Sequence, residues 1–287
     1  MESSIVLLSE AALALYPILI KKIPTDLGTQ LVSRLLTYST LGFALARPED
    51  IKQTWGSVAA GTKSSLLGVM TLLHVASSYF AFQELPAGIS MSLFYSYPIF
   101  NVIGAVLGFG ESFSIVDILL VIVAFIGVIL VAYSSKSEKK LEESFQSRWN
   151  WKGILAGIVA ALTESGMYFA VKAAGKQPNP FAAVLQLYPA ALPLLLAGLF
   201  YAGKSIDFRP SVWLPMILFN SVVGFVGYCL RFYAIPRLPT IVFSVLSLVG
   251  VIASFIWGWV FAGEMPKALS VAGGVLIGLA AGLVKSG

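Results

Sequence analysis

Two glutamates, Glu10 and Glu164, lie inside long apolar segments of the sequence, 154 residues apart. An ionisable side chain at membrane depth costs about 2.5 to 3.5 kcal/mol, so each carboxyl group needs a partner or a function. A carboxyl group in such a site can exchange its proton for a bound solute. We therefore predict that at least one of the two couples proton movement to solute movement. The alternative is a plain ion pair with a nearby base such as Lys172, Arg34 or Arg231.

Further basic and polar side chains in the apolar segments are candidates for solute binding. Arg34 and Arg231 could clamp an anionic solute through two hydrogen bonds, or could only neutralise a glutamate. His74, the single histidine of the chain, could relay a proton, although a lone histidine is more often a hydrogen-bonded packing residue. Lys172 is a further candidate, with an ion pair to a glutamate as its alternative role. The remaining candidates, for which interhelical hydrogen bonding is the alternative role, are Tyr97, Asn101, Gln186 and Asn220.

Three other carboxylates are predicted to be structural. Glu111 and Glu264 each follow a glycine in a tight turn, and Asp117 lies in the first turn of the helix that follows Glu111. The exposed N–H groups and the dipole at a helix N-terminus stabilise a carboxylate there. We therefore assign these three residues to helix starts rather than to a solute site.

The composition argues against an ordinary soluble enzyme and against a nucleic-acid-binding protein. Of 287 residues, 57% are hydrophobic and only 11% are charged, whereas a soluble domain carries roughly a quarter charged residues. The net charge is +5, but no Lys or Arg occurs between Ser64 and Ser135, so the bases lie mainly in loops. The single cysteine, Cys229, cannot form an internal disulfide, and no catalytic, metal or cofactor motif occurs. We predict no enzyme activity, no catalytic residue, no metal and no cofactor.

Ten apolar runs are each long enough to cross a bilayer about 30 Å thick. The first run lacks a basic leader and a small-residue cleavage site, so we expect it to be a retained helix and not a signal peptide. The fold class predicted is therefore an all-α polytopic membrane protein with ten transmembrane helices. The runs extend approximately over residues 3–19, 27–46, 64–82, 87–109, 114–133, 153–173, 181–202, 212–233, 239–262 and 268–284.

The two halves of the sequence repeat each other. Leu85-Pro86 matches Leu238-Pro239, and Gly110-Glu111 matches Gly263-Glu264, with 153 residues between the members of each pair. Each half carries five runs, and because five is odd the second copy enters the membrane from the opposite side. Inverted repeats of this kind are typical of secondary transporters. The predicted units are a first repeat at 1–135, a charged central loop at 136–152 and a second repeat at 153–287.

The sequence resembles the ten-helix, EamA-type members of the drug/metabolite transporter superfamily. The resemblance rests on the Leu85-Pro86 turn, the central Pro98 of the fourth run, and Gly110-Glu111 followed by a glycine-bearing fifth run. The second half repeats this pattern, except that its fourth run has no proline equivalent to Pro98. The resemblance implies transport by alternating access. The placement of Glu10 and Glu164 resembles that of the proton-coupling glutamate in the first helix of small multidrug exporters of the same superfamily.

Three hypotheses for function follow. The first is a secondary active transporter, an exporter of a small organic metabolite or drug, coupled to protons through Glu10 or Glu164. The second is an organic-phosphate or nucleotide-sugar exchanger of the same superfamily, and the third is a membrane scaffold or receptor that transports nothing. The expected partners are a small-molecule substrate, the lipid bilayer and protons, without nucleic acid. We expect a multi-pass protein of the plasma or inner membrane, as a monomer or a homodimer.

Overall fold

The computed structural model describes residues 1–59, 63–85, 87–136, 151–176, 179–263, 265 and 267–284. The regular secondary structure in these residues is helical, without a β-strand. Most of the predicted central loop, residues 137–150, and Glu264 lie outside the described residues. The flanks of that loop are helical, since Lys136 ends one helix and Trp151 begins the next.

The described part of the first half contains eight helices, and two pairs of them, α1 with α2 and α6 with α7, each form one apolar segment. They are α1 (Glu2–Leu13), α2 (Tyr16–Lys22), α3 (Leu27–Leu45), α4 (Pro48–Ala59), α5 (Lys63–Glu84), α6 (Ala87–Phe94), α7 (Tyr97–Phe109) and α8 (Ile115–Lys136). The second half contains α9 (Trp151–Ala174), α10 (Phe181–Leu187), α11 (Ala191–Tyr201), α12 (Pro210–Phe219), a π-helix (Asn220–Phe225), α13 (Val226–Ala234), a 3₁₀ turn (Ile235–Arg237), α14 (Thr240–Ser247), α15 (Val249–Ala262) and α16 (Ala268–Leu283).

In the part of the chain that the structure describes, eight helical segments are long and apolar enough to cross a membrane, which confirms the prediction of a polytopic all-helical membrane protein. They are Glu2–Lys22, Ser65–Glu84, Ser90–Phe109, Ile115–Ser134, Trp151–Ala174, Phe181–Tyr201, Pro210–Arg237 and Thr240–Phe261. The other two predicted runs are also helical. Helix α3 contains several polar side chains, which are buried and lower its mean hydropathy, and α16 has only 16 residues. The count of ten spans therefore stays a prediction.

Both fourth spans of the predicted repeats are interrupted near their middle. In the first half the break between α6 and α7 precedes Pro98, whose ring cannot continue the helix hydrogen bonds. In the second half α14 and α15 meet at Leu248 without a proline. A Cβ on Gly250 would clash with the hydroxyl of Tyr95, so the glycine lets that ring lie against the α15 backbone. The break at Leu248, which the sequence did not predict, thus lies next to the close contact between Tyr95 of the first half and α15 of the second.

The helices of one half pack mainly on those of the other half around a shared core. Helix α1 packs on α13, α14 and α15, while α9 packs on α5, α6 and α7. Helices α8 and α16 pack closely side by side, and a Cβ on Gly127 would lie 2.6 Å from the carbonyl oxygen of Gly273. The buried ionisable side chains lie inside this arrangement, where α1, α5, α9 and α13 meet.

Candidate functional site

Arg231 lies at the centre of the buried charges and contacts both glutamates that the sequence predicts. Its Nε donates to Oε1 of Glu10 at 3.0 Å, and its Nη2 donates to Oε2 of the same carboxylate at 2.6 Å. Its Nη1 donates to Oε1 of Glu164. The three residues are 0–3% exposed. Glu10 is thus held by a strong bidentate pair, and Glu164 shares the same guanidinium through a single bond.

A close approach of α1 and α13 brings Glu10 to Arg231. Val6, Glu10 and Leu13 lie on one buried face of α1, as the helical period requires. A Cβ on Gly227 would lie 2.8 Å from a methyl carbon of Leu13, so the glycine permits the contact. Arg231 follows Gly227 by one helical turn and therefore points from the same face of α13 towards Glu10.

His74 of α5 contacts the second glutamate. Its Nδ1 lies 3.2 Å from the carbonyl oxygen of Ala160, and because a carbonyl can only accept, Nδ1 carries a hydrogen. Its Nε2 lies 3.2 Å from both Oε2 of Glu164 and the hydroxyl of Tyr228. A neutral ring accepts a hydrogen bond from Tyr228 at Nε2, whereas a protonated ring donates to Glu164. The geometry can therefore hold one additional proton between His74 and Glu164.

Tyrosines surround the charges. The hydroxyl of Tyr95 donates to Oε2 of Glu10 at 3.1 Å, and the ring centroids of Tyr97 and Tyr228 lie 5.4 and 5.3 Å from the Arg231 guanidinium carbon. With both carboxylates ionised and His74 neutral, the cluster of Glu10, Glu164 and Arg231 carries one net negative charge. One proton makes it neutral.

Arg34 on α3 is a second buried guanidinium, 2% exposed, in a different environment. Its Nη2 donates to the hydroxyl of Tyr188 at 3.2 Å, and no carboxylate among the described residues lies within ion-pair distance. The π-helix brings Asn220 close to the same region, where it donates to Ser33 at 3.0 Å and accepts from Tyr16 at 3.3 Å. Asn220 therefore lies near Arg34 with both ends of its amide hydrogen-bonded.

A small cavity of about 20 Å³ connects the two arginines. That volume holds about one water molecule, so this conformation is closed and a solute can enter only after helices move. Its lining combines charged and polar side chains with apolar ones. The lining residues are Leu13, Tyr16, Arg34, His74, Ser78, Phe82, Met91, Phe94, Tyr95, Tyr228 and Arg231.

Lys172 does not join this cluster. Its Nζ lies 2.7 Å from Oε1 of Glu111, and both side chains contact the hydroxyl of Thr240. The alternative in which Lys172 pairs with one of the buried glutamates is therefore wrong, because Lys172 lies two turns further along α9 than Glu164, near the helix end.

The assignment of Glu111 to a helix start is also wrong. Helix α8 begins only at Ile115, and Asp117 rather than Glu111 accepts from the backbone N–H of Ser114, at 3.0 Å. The structural role predicted for Asp117 is therefore confirmed. Partial burial opposes ionisation of Glu111, but hydrogen bonds from Lys172 and Thr240 outweigh it and lower the pKa of that carboxyl group.

The remaining predicted residues are divided between the site and its surroundings. Tyr97 contacts Arg231 through its ring, as described above. Asn101 is fully buried in α7, and its side-chain amide has no hydrogen-bond partner among the described residues. Gln186 lines a separate small cavity with Asn179, Phe232 and Arg237. Among the described residues no group of three His, Cys, Asp or Glu side chains could hold a metal ion.

Sequence reasoning missed the ring of tyrosines around Arg34. Tyr38 follows Arg34 by one helical turn, and an aromatic residue at that spacing from a buried arginine was a usable signal for a cation–π contact. The other rings come from α2, α5, α13 and the end of α10, which only the packing brings together.

The fold and the buried charge cluster define a polytopic membrane protein with an ionisable site in its core. Residues 151–285 match the EamA-like transporter family. The second half of the chain therefore carries an EamA-like domain, and the chain is an integral, multi-pass membrane protein. The same comparisons favour the plasma or inner membrane as its location.

Two curated relatives and one solved structure extend the comparison to the rest of the chain. The relatives are the pseudopaline exporter CntI of Pseudomonas aeruginosa strains UCBPP-PA14 and PAO1. Each is 24% identical over 210 residues, which are 73% of this chain and 70% of the relative. A protein of known crystal structure matches with a TM-score of 0.69 at 16% identity, over 98% of this chain and 93% of its own. That likeness shows a shared fold.

Proposed function

We propose that this chain is a secondary active transporter that exports a small organic solute in exchange for protons by alternating access. The observation that carries the proposal is the sharing of Arg231 between Glu10 and Glu164, with His74 against the second carboxylate. Such a cluster is costly at membrane depth, and intramembrane ionisable residues commonly mark proton or solute pathways. The exporters among the relatives support outward movement as the direction.

The proposed architecture is two inverted repeats of five spans, residues 1–135 and 153–287, joined by the central loop at 136–152. Contacts between equivalent residues support it. Arg34 contacts Tyr188, and His74 contacts Tyr228, and in both pairs the partners are 154 residues apart. Glu10 and Glu164 have the same separation. A two-fold axis that relates the halves makes equivalent residues meet only where they lie on that axis. The axis therefore passes close to the charge cluster, where inverted-repeat transporters bind their solutes.

The contacts also indicate how a proton could control movement. Glu10 ties α1 to α13 through Arg231, and His74 ties α5 to α9 through Glu164. The bond from Arg231 to Glu164 links these two helix pairs. A proton held by Glu164 removes the charge that attracts Arg231, whereas the bidentate pair with Glu10 persists. The α1–α13 pair can then rock against the α5–α9 pair and open the cavity.

A second ion pair closes one end of the interface. Glu111 precedes α8, Lys172 lies at the end of α9, and Thr240 begins α14, so their contacts join three elements. We assign this group to a gate that must separate when the cavity opens on that side.

The test is proton movement in liposomes that contain purified protein and an internal pH dye. Amino acids, organic cations, nucleosides and phosphorylated metabolites are supplied in turn to the wild type, Glu10→Gln and Glu164→Gln. Glu49→Gln is the matched control, since Glu49 is exposed in the first turn of α4. We expect one solute class to drive proton movement in the wild type and control, and at least tenfold less in both cluster variants.

Two results would contradict the proposal. Solute movement without proton movement in the wild type would indicate uniport or solute exchange instead of proton coupling. Absence of movement for every solute class, in protein that is monodisperse, would favour a scaffold or receptor instead.

A further inference from the structure

Aromatic rings stabilise Arg34, whereas carboxylates stabilise Arg231. Its guanidinium carbon lies 4.9 to 5.9 Å from five tyrosine ring centroids, those of Tyr16, Tyr38, Tyr79, Tyr188 and Tyr228. Ring faces attract a cation through their quadrupole but accept few hydrogen bonds. The in-plane N–H groups of a guanidinium held in this way remain suited to a planar anion.

One N–H donor of the Arg34 guanidinium is unpaired. Its Nε is fully buried and has no hydrogen-bond partner among the described residues, although a buried unpaired donor is unfavourable. Arg34 also lines the small cavity between the two arginines. The guanidinium therefore borders the space that the proposed function assigns to the solute.

The charges around the cavity indicate how much negative charge a ligand could bring. Arg231 is already paired with Glu10 and Glu164, while Arg34 has no carboxylate partner among the described residues. One such cation matches one carboxylate. A phosphate dianion would bring a second negative charge next to two glutamates, and the other cavity-lining bases already face carboxylates, Arg231 both glutamates and His74 Glu164.

We infer that Arg34 binds the carboxylate of a small organic monoacid whose apolar part contacts Phe82, Met91 and Phe94, which are apolar lining residues of the cavity. This inference rests on the proposed function for the location of the solute, and it adds the chemical class. Arg34 provides a planar pair of donors, and a carboxylate provides the matching pair of acceptors.

The experiment measures binding rather than transport. The probes are 3-phenylpropionate, the neutral 3-phenylpropionamide and benzylphosphonate, added to purified full-length protein in detergent, with ligand-dependent thermal protection as the readout. We expect saturable protection by the carboxylate, at least tenfold weaker apparent affinity for the amide, and no tighter binding of the phosphonate.

Variants assign the effect to Arg34. Arg34→Gln should weaken 3-phenylpropionate binding at least tenfold, and Arg34→Lys should weaken it severalfold because lysine keeps the charge but lacks the planar donor pair. If Arg34→Gln does not fold, Arg34→Lys carries the test. Arg209→Gln is the control, since Arg209 is exposed in the loop before α12.

The outcomes distinguish the inference about Arg34 from the proposed proton coupling. Unchanged carboxylate binding in both Arg34 variants, no binding by the wild type, or preference for the phosphonate would overturn the inference. Carboxylate binding that depends on Arg34, in protein that moves no protons, would support the inference and contradict the proposed proton coupling.

Discussion

Replacing Arg231 by methionine should destabilise the protein more than removing the entire charge cluster. In Arg231→Met the carboxylates of Glu10 and Glu164, at 0% and 3% exposure, remain in the core without their cation. Removing one partner of a buried ion pair costs about 3 to 5 kcal/mol, because the charge left behind has lost both water and its counterion. Arg231 serves two carboxylates, so we expect the upper part of that range.

The variant that combines Glu10→Gln, Glu164→Gln and Arg231→Met tests the origin of this cost. It keeps the side-chain volumes similar and removes all three charges. Replacing a complete buried cluster by neutral groups is often close to neutral in stability. We therefore expect the triple variant to recover at least half of the stability that Arg231→Met loses.

The assay is unfolding in mixed micelles with increasing SDS, followed by the fluorescence of the six tryptophans and by far-UV circular dichroism. Arg209→Met is the matched control, because Arg209 pairs with Asp207 in an exposed loop, where an ion pair contributes little. The reasoning is refuted if Arg231→Met unfolds at the same SDS fraction as the wild type. It is also refuted if the triple variant is less stable than Arg231→Met.

Two further predictions concern the gate and the helix packing. Glu111 has a lowered pKa, so its pair with Lys172 is complete above the ordinary glutamate range and is lost only as pH falls through the lowered value. Glu111→Gln should therefore change the transport rate but not its pH dependence between about pH 6 and 8, and a displaced pH profile would contradict this. Gly127→Ala should cost about 1 to 3 kcal/mol in SDS unfolding, because its Cβ would meet the Gly273 backbone. Gly278→Ala is the control, since a Cβ there would meet no described atom within 4 Å beyond its own stretch of helix, and equal effects of the two alanines would argue against tight packing of α8 on α16.

The sequence by itself determined the class of protein and most members of the charge cluster. An apolar run of about 20 residues is a local property, and so is the cost of a charge inside it. Glu10, Glu164, Arg231 and His74 could therefore be selected without a structure. Their common role in one cluster could not, because every contact among them joins different helices.

The partners of each charge depended on packing at ångström scale. Arg231 reaches a residue 221 positions away and another 67 positions away, and Gly227 permits the first of these contacts by letting α1 approach α13. The predicted pairing of Lys172 with a buried glutamate and the placement of Glu111 at a helix start were wrong, because both depend on where α8 begins and how α9 meets the loop before it.

The environment of Arg34 is the clearest case of a property that only the tertiary structure decided. The sequence shows a buried arginine and many tyrosines, but five rings from different helices must converge to stabilise a cation without a carboxylate. Hydropathy along a chain reports how much each segment avoids water. It does not report which side chains of two packed helices face each other, and that relation distinguishes Arg231, which is paired with carboxylates, from Arg34, which is surrounded by aromatic rings.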